Sequence, residues 1–327
     1  MRDYWRPVAL GEAGLPLAGG PLRFAAVERL RRGAAPEMLT LDALPQEWRL
    51  RLSAPRTIKG LSLPQDQPAV MGILNITPDS FSDGGWLEGP EAAVAAAHAM
   101  AAAGADIVDV GAESTRPGAE AVSFAEEVRR LSGVMPGLGG LCWSIDARKA
   151  AVMAAALDAG ATLVNDVSAL THDPQALGLV AARACPVVLM HAQGEPETMQ
   201  QAPRYEHVLL DVFDWLEARL LACEAGGIAR GRMLADVGIG FGKTLAHNLA
   251  LLRGLALFHG LGVPLLLGAS RKKMIGTIAG DAPVTERLGG SLALALHGAA
   301  CGVQMVRVHD VPQTVQALRL WRAAQAG

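Results

Sequence analysis

Residues 69–75 of the chain have the sequence Ala-Val-Met-Gly-Ile-Leu-Asn, a short apolar run that ends in a polar side chain. Seven similar runs follow, at 106–111, 142–146, 162–166, 187–191, 233–237, 264–268 and 304–309. Alanine- and leucine-rich stretches lie after the runs, at 91–103, 124–135, 148–158, 174–184, 207–225, 247–259, 284–301 and 311–324. The repetition predicts eight β-strands that alternate with helices.

Near-continuous apolar strands are typical of a parallel sheet that is covered on both faces. Eight such βα units favour an α/β fold of the (β/α)₈ TIM barrel type, and a doubly wound open sheet is the alternative. Nearly every run ends in a charged or amide residue, and barrel enzymes build their sites at the carboxyl ends of the strands. We therefore predict a barrel over residues 67–327 with its functional groups at one mouth.

Residues 1–66 do not follow this rhythm and are rich in Gly, Pro and Arg. The spacing of apolar residues predicts an amphipathic helix near 22–32, whereas the alternation of Trp48, Leu50 and Leu52 predicts a short strand. We interpret the segment as an N-terminal extension of unknown role that packs on the barrel or on a partner subunit.

The composition excludes several classes of protein. A net charge of −3 gives no basic excess for binding nucleic acid or an anionic membrane. The most membrane-like window, 251–269, is interrupted by Arg253, His259 and Pro264. Four widely spaced cysteines indicate reduced thiols, and the charged first residues do not resemble a signal peptide. A cytoplasmic location is expected.

The polar strand ends belong to longer motifs. Residues 71–85 are MGILNITPDSFSDGG, 109–118 are DVGAESTRPG and 236–243 are DVGIGFGK, with further matches at 144–146, 165–166, 189–194, 270–272 and 307–309. These motifs, in order over residues 69–322, resemble the dihydropteroate synthase family of pterin-binding enzymes. The resemblance implies a transferase of folate biosynthesis, a family that sulfonamides target. Its substrates would be 6-hydroxymethyl-7,8-dihydropterin diphosphate and 4-aminobenzoate, and its products 7,8-dihydropteroate and pyrophosphate.

The resemblance assigns the pterin site to residues at the strand ends. A pterin offers two parallel N–H donors, for which a carboxylate is the matching acceptor, and Asp236 is assigned this role. Asp146 and Asn165 would satisfy the rest of the ring edge, and Lys272 would donate to the pterin carbonyl and ring nitrogen. Met190 is assigned to the substrate-binding residues. A lone aspartate at a strand end often only caps the next helix, but several at one mouth favour a site.

Arg307 and His309 lie two residues apart on a strand, so their side chains face the same way. Such a donor pair suits a pyrophosphate, and phosphate groups often bind beside the last two strands of these barrels. A lone histidine would more often be a core residue. The resemblance also implies that Asn75 helps to hold Mg²⁺, the expected cofactor. The other ligands of the ion would be mainly substrate oxygens and water.

Two segments rich in Gly, Pro and Ser, 77–85 and 114–121, are typical of mobile active-site loops. The resemblance places the aminobenzoate pocket at these loops and assigns to it Thr115, Pro117, Phe241 and Ser270. Arg116 would fix Asp79 and the diphosphate. Ordering such loops costs about 1–2 kcal/mol per residue, so we expect the pterin diphosphate to bind before 4-aminobenzoate.

The family chemistry makes Asp146, Lys272, Arg307 and His309 the catalytic residues, and a homodimer is expected. Asp146 would stabilise a cationic pterin, while the basic residues and Mg²⁺ neutralise the departing pyrophosphate. Two alternatives stay open: a non-catalytic pterin-binding relative and a pterin-dependent methyltransferase. Neither needs the loop and diphosphate residues that this chain retains.

Glycine-rich residues 238–244 also resemble nucleotide-binding loops. The phosphate-loop pattern would require glycine at Val237, and the dinucleotide pattern would require glycine at Lys243, so both are rejected. The chain departs from the family pattern at Ala112, Ala147, Val237 and Ile239, none of which has an assigned role.

Overall fold

The computed structural model describes residues 2–76, 89–114, 122–194 and 198–325. Its first part is a small antiparallel sheet followed by a helix. The elements are β1 (Tyr4–Gly11), β2 (Leu15–Pro16), β3 (Arg23–Leu30), β4 (Glu37–Thr40) and α1 (Gln46–Ser53). Strand β3 is the centre of this sheet because it pairs with each of the other three.

Both local predictions for this segment are wrong. Phe24, Val27 and Leu30 are buried at a spacing of three, which imitates a helix, but they belong to β3, which is covered on both faces. The predicted strand at residues 48–52 is the helix α1. Trp48 and Leu52, four residues apart, share its buried face, whereas Leu50 is 61% exposed.

Eight parallel strands close into a barrel, which confirms the predicted fold and rules out the open sheet. They are β5 (Ala69–Asn75), β6 (Ile107–Gly111), β7 (Trp143–Asp146), β8 (Leu163–Asp166), β9 (Val187–Met190), β10 (Met233–Asp236), β11 (Leu265–Leu267) and β12 (Met305–Val308). Neighbours in sequence pair in space, and β12 pairs with β5 to close the sheet. All eight lie where the sequence predicted them, within one or two residues at each end.

Helices surround the barrel. They are α2 (Pro90–Ala102), α3 (Phe124–Ser132), α4 (Ala150–Asp158), α5 (Ala176–Arg183), α6 (Val208–Ala225), α7 (Leu245–Arg253), α8 (Lys273–Ile278), α9 (Leu288–Ala300) and α10 (Val311–Gln325). The sequence did not predict α8. The predicted helix 247–259 ends early because the chain turns at Gly254 into a 3₁₀ segment, Leu255–Leu261. Within the described ranges, no helix is long and apolar enough to cross a membrane.

The interior of the barrel is divided into an apolar lower layer and a polar upper layer. The lower layer consists of Ala69, Met71, Ile107, Leu163, Val188, Leu234, Leu266 and Met305. Ile58 and Leu63, from the chain segment before β5, pack into this layer and close the amino-terminal end of the barrel. Because side chains alternate along a strand, the next inward positions face the opposite mouth, where the polar residues lie.

The N-terminal sheet packs on one side of the barrel, against α6 and the 3₁₀ segment. The Trp48 ring stacks on Phe213 with 5.7 Å between ring centroids, and the Tyr4 hydroxyl donates to Asp214 at 2.7 Å. Arg32 forms ion pairs with Asp211 and Asp214. The boundary at residue 66 between extension and barrel stays a prediction.

Candidate active site

The structure brings four of the predicted residues together at the carboxyl-terminal mouth of the barrel. Asp146 and Asp236 are the last residues of β7 and β10, Asn165 is the last but one of β8, and all three are buried. Arg307 reaches them from β12. The alternation of side chains along the strands therefore directs these groups to the inside of the barrel, at its carboxyl-terminal mouth.

A buried carboxylate that was not among the predicted site residues organises this mouth. Asp109, fully buried in the middle of β6, accepts hydrogen bonds from Arg307 Nε at 2.6 Å, Asn165 Nδ2 at 2.9 Å and Ser144 Oγ at 2.6 Å. The signal in the sequence was a charged residue inside an otherwise apolar strand. Because the Asn165 side-chain NH₂ group donates a hydrogen bond to Asp109, the carbonyl oxygen of the same amide points away from Asp109.

Asp146 has one oxygen engaged and one available. Its Oδ2 accepts a hydrogen bond from Arg307 Nη2 at 2.7 Å, whereas its buried Oδ1 has no partner among the described residues. Burial raises the pKa of Asp146, and Arg307 opposes the shift. A buried oxygen without a partner is costly, so the position is suited to a donor on a ligand.

Asp236 is held in a similar way. Its Oδ1 accepts a hydrogen bond from the backbone N–H of Gly238 at 2.8 Å. Burial raises the pKa of Asp236, opposed by this N–H group and by Lys272, Lys243 and Arg307. A Cβ atom at Gly268 would lie 3.5 Å from Oδ2, so glycine at that position leaves room beside the carboxylate.

Lys272 and Phe241 connect the two predicted substrate sites. The Lys272 Nζ lies 4.0 Å from the centroid of the Phe241 ring, in cation–π contact. The sequence assigned Lys272 to the pterin and Phe241 to the aminobenzoate. Their contact brings the two groups side by side at the mouth.

A family model described as pterin binding enzyme matches residues 71–309. The dihydropteroate synthase of Escherichia coli (strain K12) is 47% identical over 268 residues, which cover 81% of this chain and 94% of that protein. The dihydropteroate synthase of Haemophilus influenzae is 43% identical over 277 residues, which cover 84% of this chain and 98% of the relative.

The chain belongs to the dihydropteroate synthase family of pterin binding enzymes.

Solved structures agree with this assignment. The Yersinia pestis dihydropteroate synthase with a sulfonamide drug matches with a TM-score of 0.78 at 43% identity, covering 83% of this chain and 99% of that one. The Xanthomonas albilineans enzyme in complex with 7,8-dihydropteroate matches with a TM-score of 0.74 at 44% identity, covering 84% of this chain and 100% of that one. Each match leaves roughly a fifth of this chain outside, so the chain carries residues beyond those it shares with these family members.

The two residues of the predicted diphosphate pair have different partners. His309 lies beside Ser270, with its Nδ1 atom 3.0 Å from the Ser270 Oγ, to which its backbone N–H also donates. Arg307, by contrast, makes ion pairs with Asp109 and Asp146 inside the barrel. Contact of either residue with a diphosphate stays a prediction, but Arg307 also neutralises two carboxylates of the pterin mouth.

Asn75, the predicted magnesium ligand, lies within the described residues. Asn75 ends β5 beside Gly111 of β6. Among the residues that the structure describes, no group of three or more His, Cys, Asp or Glu side chains could hold a metal ion. A single amide fits an ion that is bound mainly by diphosphate oxygens and water, as the sequence predicted.

Several predicted residues lie outside the described ranges: Asp79, Thr115, Arg116 and Pro117. The ends of the second loop are nevertheless visible. Glu113, just before it, accepts a hydrogen bond from the backbone N–H of Val122, just after it, at 3.1 Å. Glu113 also pairs with Arg148 at 3.2 Å and with Lys149 at 3.0 Å. A buried ionic cluster thus holds together the two ends of segment 115–121.

Met190 ends β9 as a buried residue beside the mouth. A Cβ atom at Gly238 would lie 3.3 Å from the Met190 Cγ, which places Met190 next to the loop that follows Asp236. Its predicted role as a substrate-binding residue is consistent with this position and stays a prediction.

Proposed function

We propose that this chain catalyses the transfer of a pterinylmethyl group from 6-hydroxymethyl-7,8-dihydropterin diphosphate to 4-aminobenzoate. The products are 7,8-dihydropteroate and pyrophosphate. The single observation that carries the proposal is the array of buried acceptors at one mouth of a family-typical barrel: Asp146, Asn165 and Asp236.

The acceptor array supports recognition of the pterin ring. Asp236 would take the 2-amino and N3–H donors as a bidentate carboxylate. The Asp146 Oδ1, which has no partner among the described residues, is suited to a further N–H of the dihydropterin ring. Asn165, fixed by Asp109, would offer its carbonyl oxygen. Lys272 would donate to the pterin carbonyl and ring nitrogen.

In the reaction, the C–O bond between the pterin methylene and the diphosphate breaks, and its electron pair leaves with the pyrophosphate. Positive charge then develops on the pterin, and the buried Asp146 carboxylate would stabilise it. The aniline nitrogen of 4-aminobenzoate forms the new C–N bond with its lone pair and loses a proton. The route needs no covalent intermediate with the protein.

The leaving group requires cations outside the acceptor array. His309, next to Ser270, would donate to the diphosphate together with Arg307 and Arg116. Asn75 is the residue that would help to hold Mg²⁺, which would neutralise charge on the departing pyrophosphate. Phe241 and Ser270 would contact 4-aminobenzoate with Thr115 and Pro117.

The proposal is tested by measuring pyrophosphate release and dihydropteroate formation with Mg²⁺ and each substrate alone or together. We expect both products only when the two substrates are present. Binding of the pterin diphosphate without any product would favour the non-catalytic relative. A homodimer and a cytoplasmic location stay predictions, and light scattering of the purified chain tests the first.

A further inference from the structure

A buried lysine with no role in the proposed reaction lies directly behind the pterin mouth. The ammonium of Lys243 donates to His191 Nδ1 at 2.9 Å, to the His191 carbonyl at 3.2 Å and to the Phe241 carbonyl at 2.9 Å. A lysine ammonium has three N–H donors, so the three acceptors account for all of them. This geometry fixes the position of the charge.

The three acceptors come from two different loops. His191 follows β9, and Phe241 belongs to the loop after β10, residues 237–243, here called the β10 loop. The backbones of the two loops touch: a Cβ atom at Gly238 (φ +67°) would lie 1.9 Å from the His191 carbonyl oxygen. One at Gly242 (φ +61°) would lie 2.3 Å from the Gln193 carbonyl oxygen. Lys243 is therefore a side-chain link between loops that are already in close contact.

The charge of Lys243 is coupled to the site. Burial lowers the pKa of Lys243 to about 7, Asp236 opposes this shift and Lys272 adds to it. Burial also lowers the pKa of His191 far below its ordinary value, so the ring is a neutral acceptor and the shared proton stays on the lysine.

Three cationic side chains among the described residues face Asp236: Lys243 on its own loop, Lys272 after β11 and Arg307 on β12. Arg307 in turn forms ion pairs with Asp109 and Asp146. His247 on α7 also faces Lys243.

We propose that Lys243 is a positioning residue for both substrates: it locks the β10 loop against the loop after β9 and holds a positive charge behind the carboxylate of Asp236. Through the Phe241 carbonyl it fixes the ring that faces 4-aminobenzoate. Through its charge it favours the ionised form of Asp236, which accepts the two pterin donors. The inference rests on the proposed function, because it assigns Asp236 and Phe241 to the two substrates.

Two variants separate the two effects. Lys243→Met removes both the hydrogen bonds and the charge, whereas Lys243→Gln keeps two N–H donors without the charge. Lys59→Met, at an exposed lysine near the opposite end of the barrel, controls for the substitution itself. Each protein is first checked by thermal unfolding. Binding of an unphosphorylated pterin is then titrated between pH 4 and 8, and the KM for 4-aminobenzoate is measured at one pH.

Pterin affinity should fall at low pH as Asp236 is protonated, and we call this fall the acid limb of pterin binding. We expect the acid limb to move to higher pH by about one unit in both Lys243 variants, because the pKa of Asp236 rises when a nearby positive charge is removed. The KM for 4-aminobenzoate should rise in Lys243→Met and recover in part in Lys243→Gln. Lys59→Met should match the wild type in both measurements.

A wild-type acid limb in Lys243→Gln overturns the proposal, and that variant decides the matter even when Lys243→Met fails to fold. An unchanged KM for 4-aminobenzoate in a folded Lys243→Met protein overturns the positioning of Phe241. Failure of the proposed function is distinct from both results, since the wild type itself would then form no dihydropteroate.

Discussion

On β10, Leu234 and Asp236 both point into the barrel and lie two residues apart, but they belong to opposite environments. Leu234 packs in the apolar layer that Ile58 and Leu63 close from below. Asp236 lies in the polar layer, where burial raises its pKa and three nearby cations oppose the shift. The same strands therefore carry the apolar lower layer at one end of the barrel and the polar upper layer at the other. Successive inward positions on a strand, two residues apart, are separated by about 7 Å.

The difference shows how the barrel separates stability from function. The lower layer gains free energy from packing and has no group that a ligand could use. The upper layer buries Asp109 and Asp146 and pairs both with the partly buried Arg307. Burying these carboxylates costs desolvation, and the layer provides an array of partners for a ligand. Variants at the two ends should therefore change different measurements.

The largest effect is expected from Arg307→Ala, which leaves Asp109 and Asp146 buried without their shared cation. Breaking a buried ion pair in this way costs about 3–5 kcal/mol. Urea unfolding should show this loss, and both the pterin diphosphate and the unphosphorylated pterin should bind more weakly. Loss of diphosphate binding alone, with unchanged stability, would mean that Arg307 serves only the leaving group.

Leu234→Ala should lower the free energy of unfolding by about 2–5 kcal/mol, because a fully buried side chain of the lower layer is replaced by a cavity. The affinity of the folded variant for an unphosphorylated pterin should stay within about twofold of the wild type, since the polar layer is untouched. Urea unfolding and calorimetry at low temperature measure the two quantities. A large loss of pterin affinity would show that the layers are coupled.

His309→Ala tests whether the diphosphate and the pterin ring are bound by different residues of the mouth. A hydrogen bond to a charged group contributes about 1.5–3 kcal/mol, so affinity for the pterin diphosphate should fall about ten- to a hundredfold. Binding of the pterin alcohol should not change, because the proposed function gives His309, beside Ser270, a role at the diphosphate and none at the ring. Equal losses for the two ligands would place His309 at the ring instead of the diphosphate.

The smallest effect is expected from Arg32→Ala in the N-terminal sheet. Its ion pairs with Asp211 and Asp214 are about a third exposed, and such pairs contribute at most about 1 kcal/mol. Stability should fall slightly while kcat/KM is unchanged, as expected for a structural extension. A clear loss of kcat/KM in a folded variant would make the extension part of the active site.

Sequence patterns were sufficient for the barrel because its strands obey a local rule. Most of the apolar runs end at a polar residue that faces the mouth, so Asp146 and Asn165 could both be placed from local spacing alone. Asp109 was not predicted as a site residue because it lies inside its strand, and its partners Asn165 and Arg307 are 56 and 198 residues away. Local spacing contains no information about such contacts.

The N-terminal segment shows the opposite case. The burial of Phe24 and Val27 on two faces of β3 depends on strands and helices distant in sequence, so local spacing indicated a helix. No local pattern indicates that Ile58 and Leu63 close the amino-terminal end of the barrel, because that role exists only once the eight strands have closed. Predictions for Thr115, Arg116 and Pro117 lie outside the described residues and stay predictions.

The central claim is that the carboxylate at the end of β10 binds the pterin, and calorimetry of Asp236→Ala tests it most directly, with Leu234→Ala as the matched control on the same strand. Removing the carboxylate leaves two ring donors unpaired at a cost of about 1–3 kcal/mol each, so pterin affinity should fall at least about thirtyfold. Leu234→Ala should bind like the wild type. Unchanged pterin affinity in a folded Asp236→Ala protein would contradict the account.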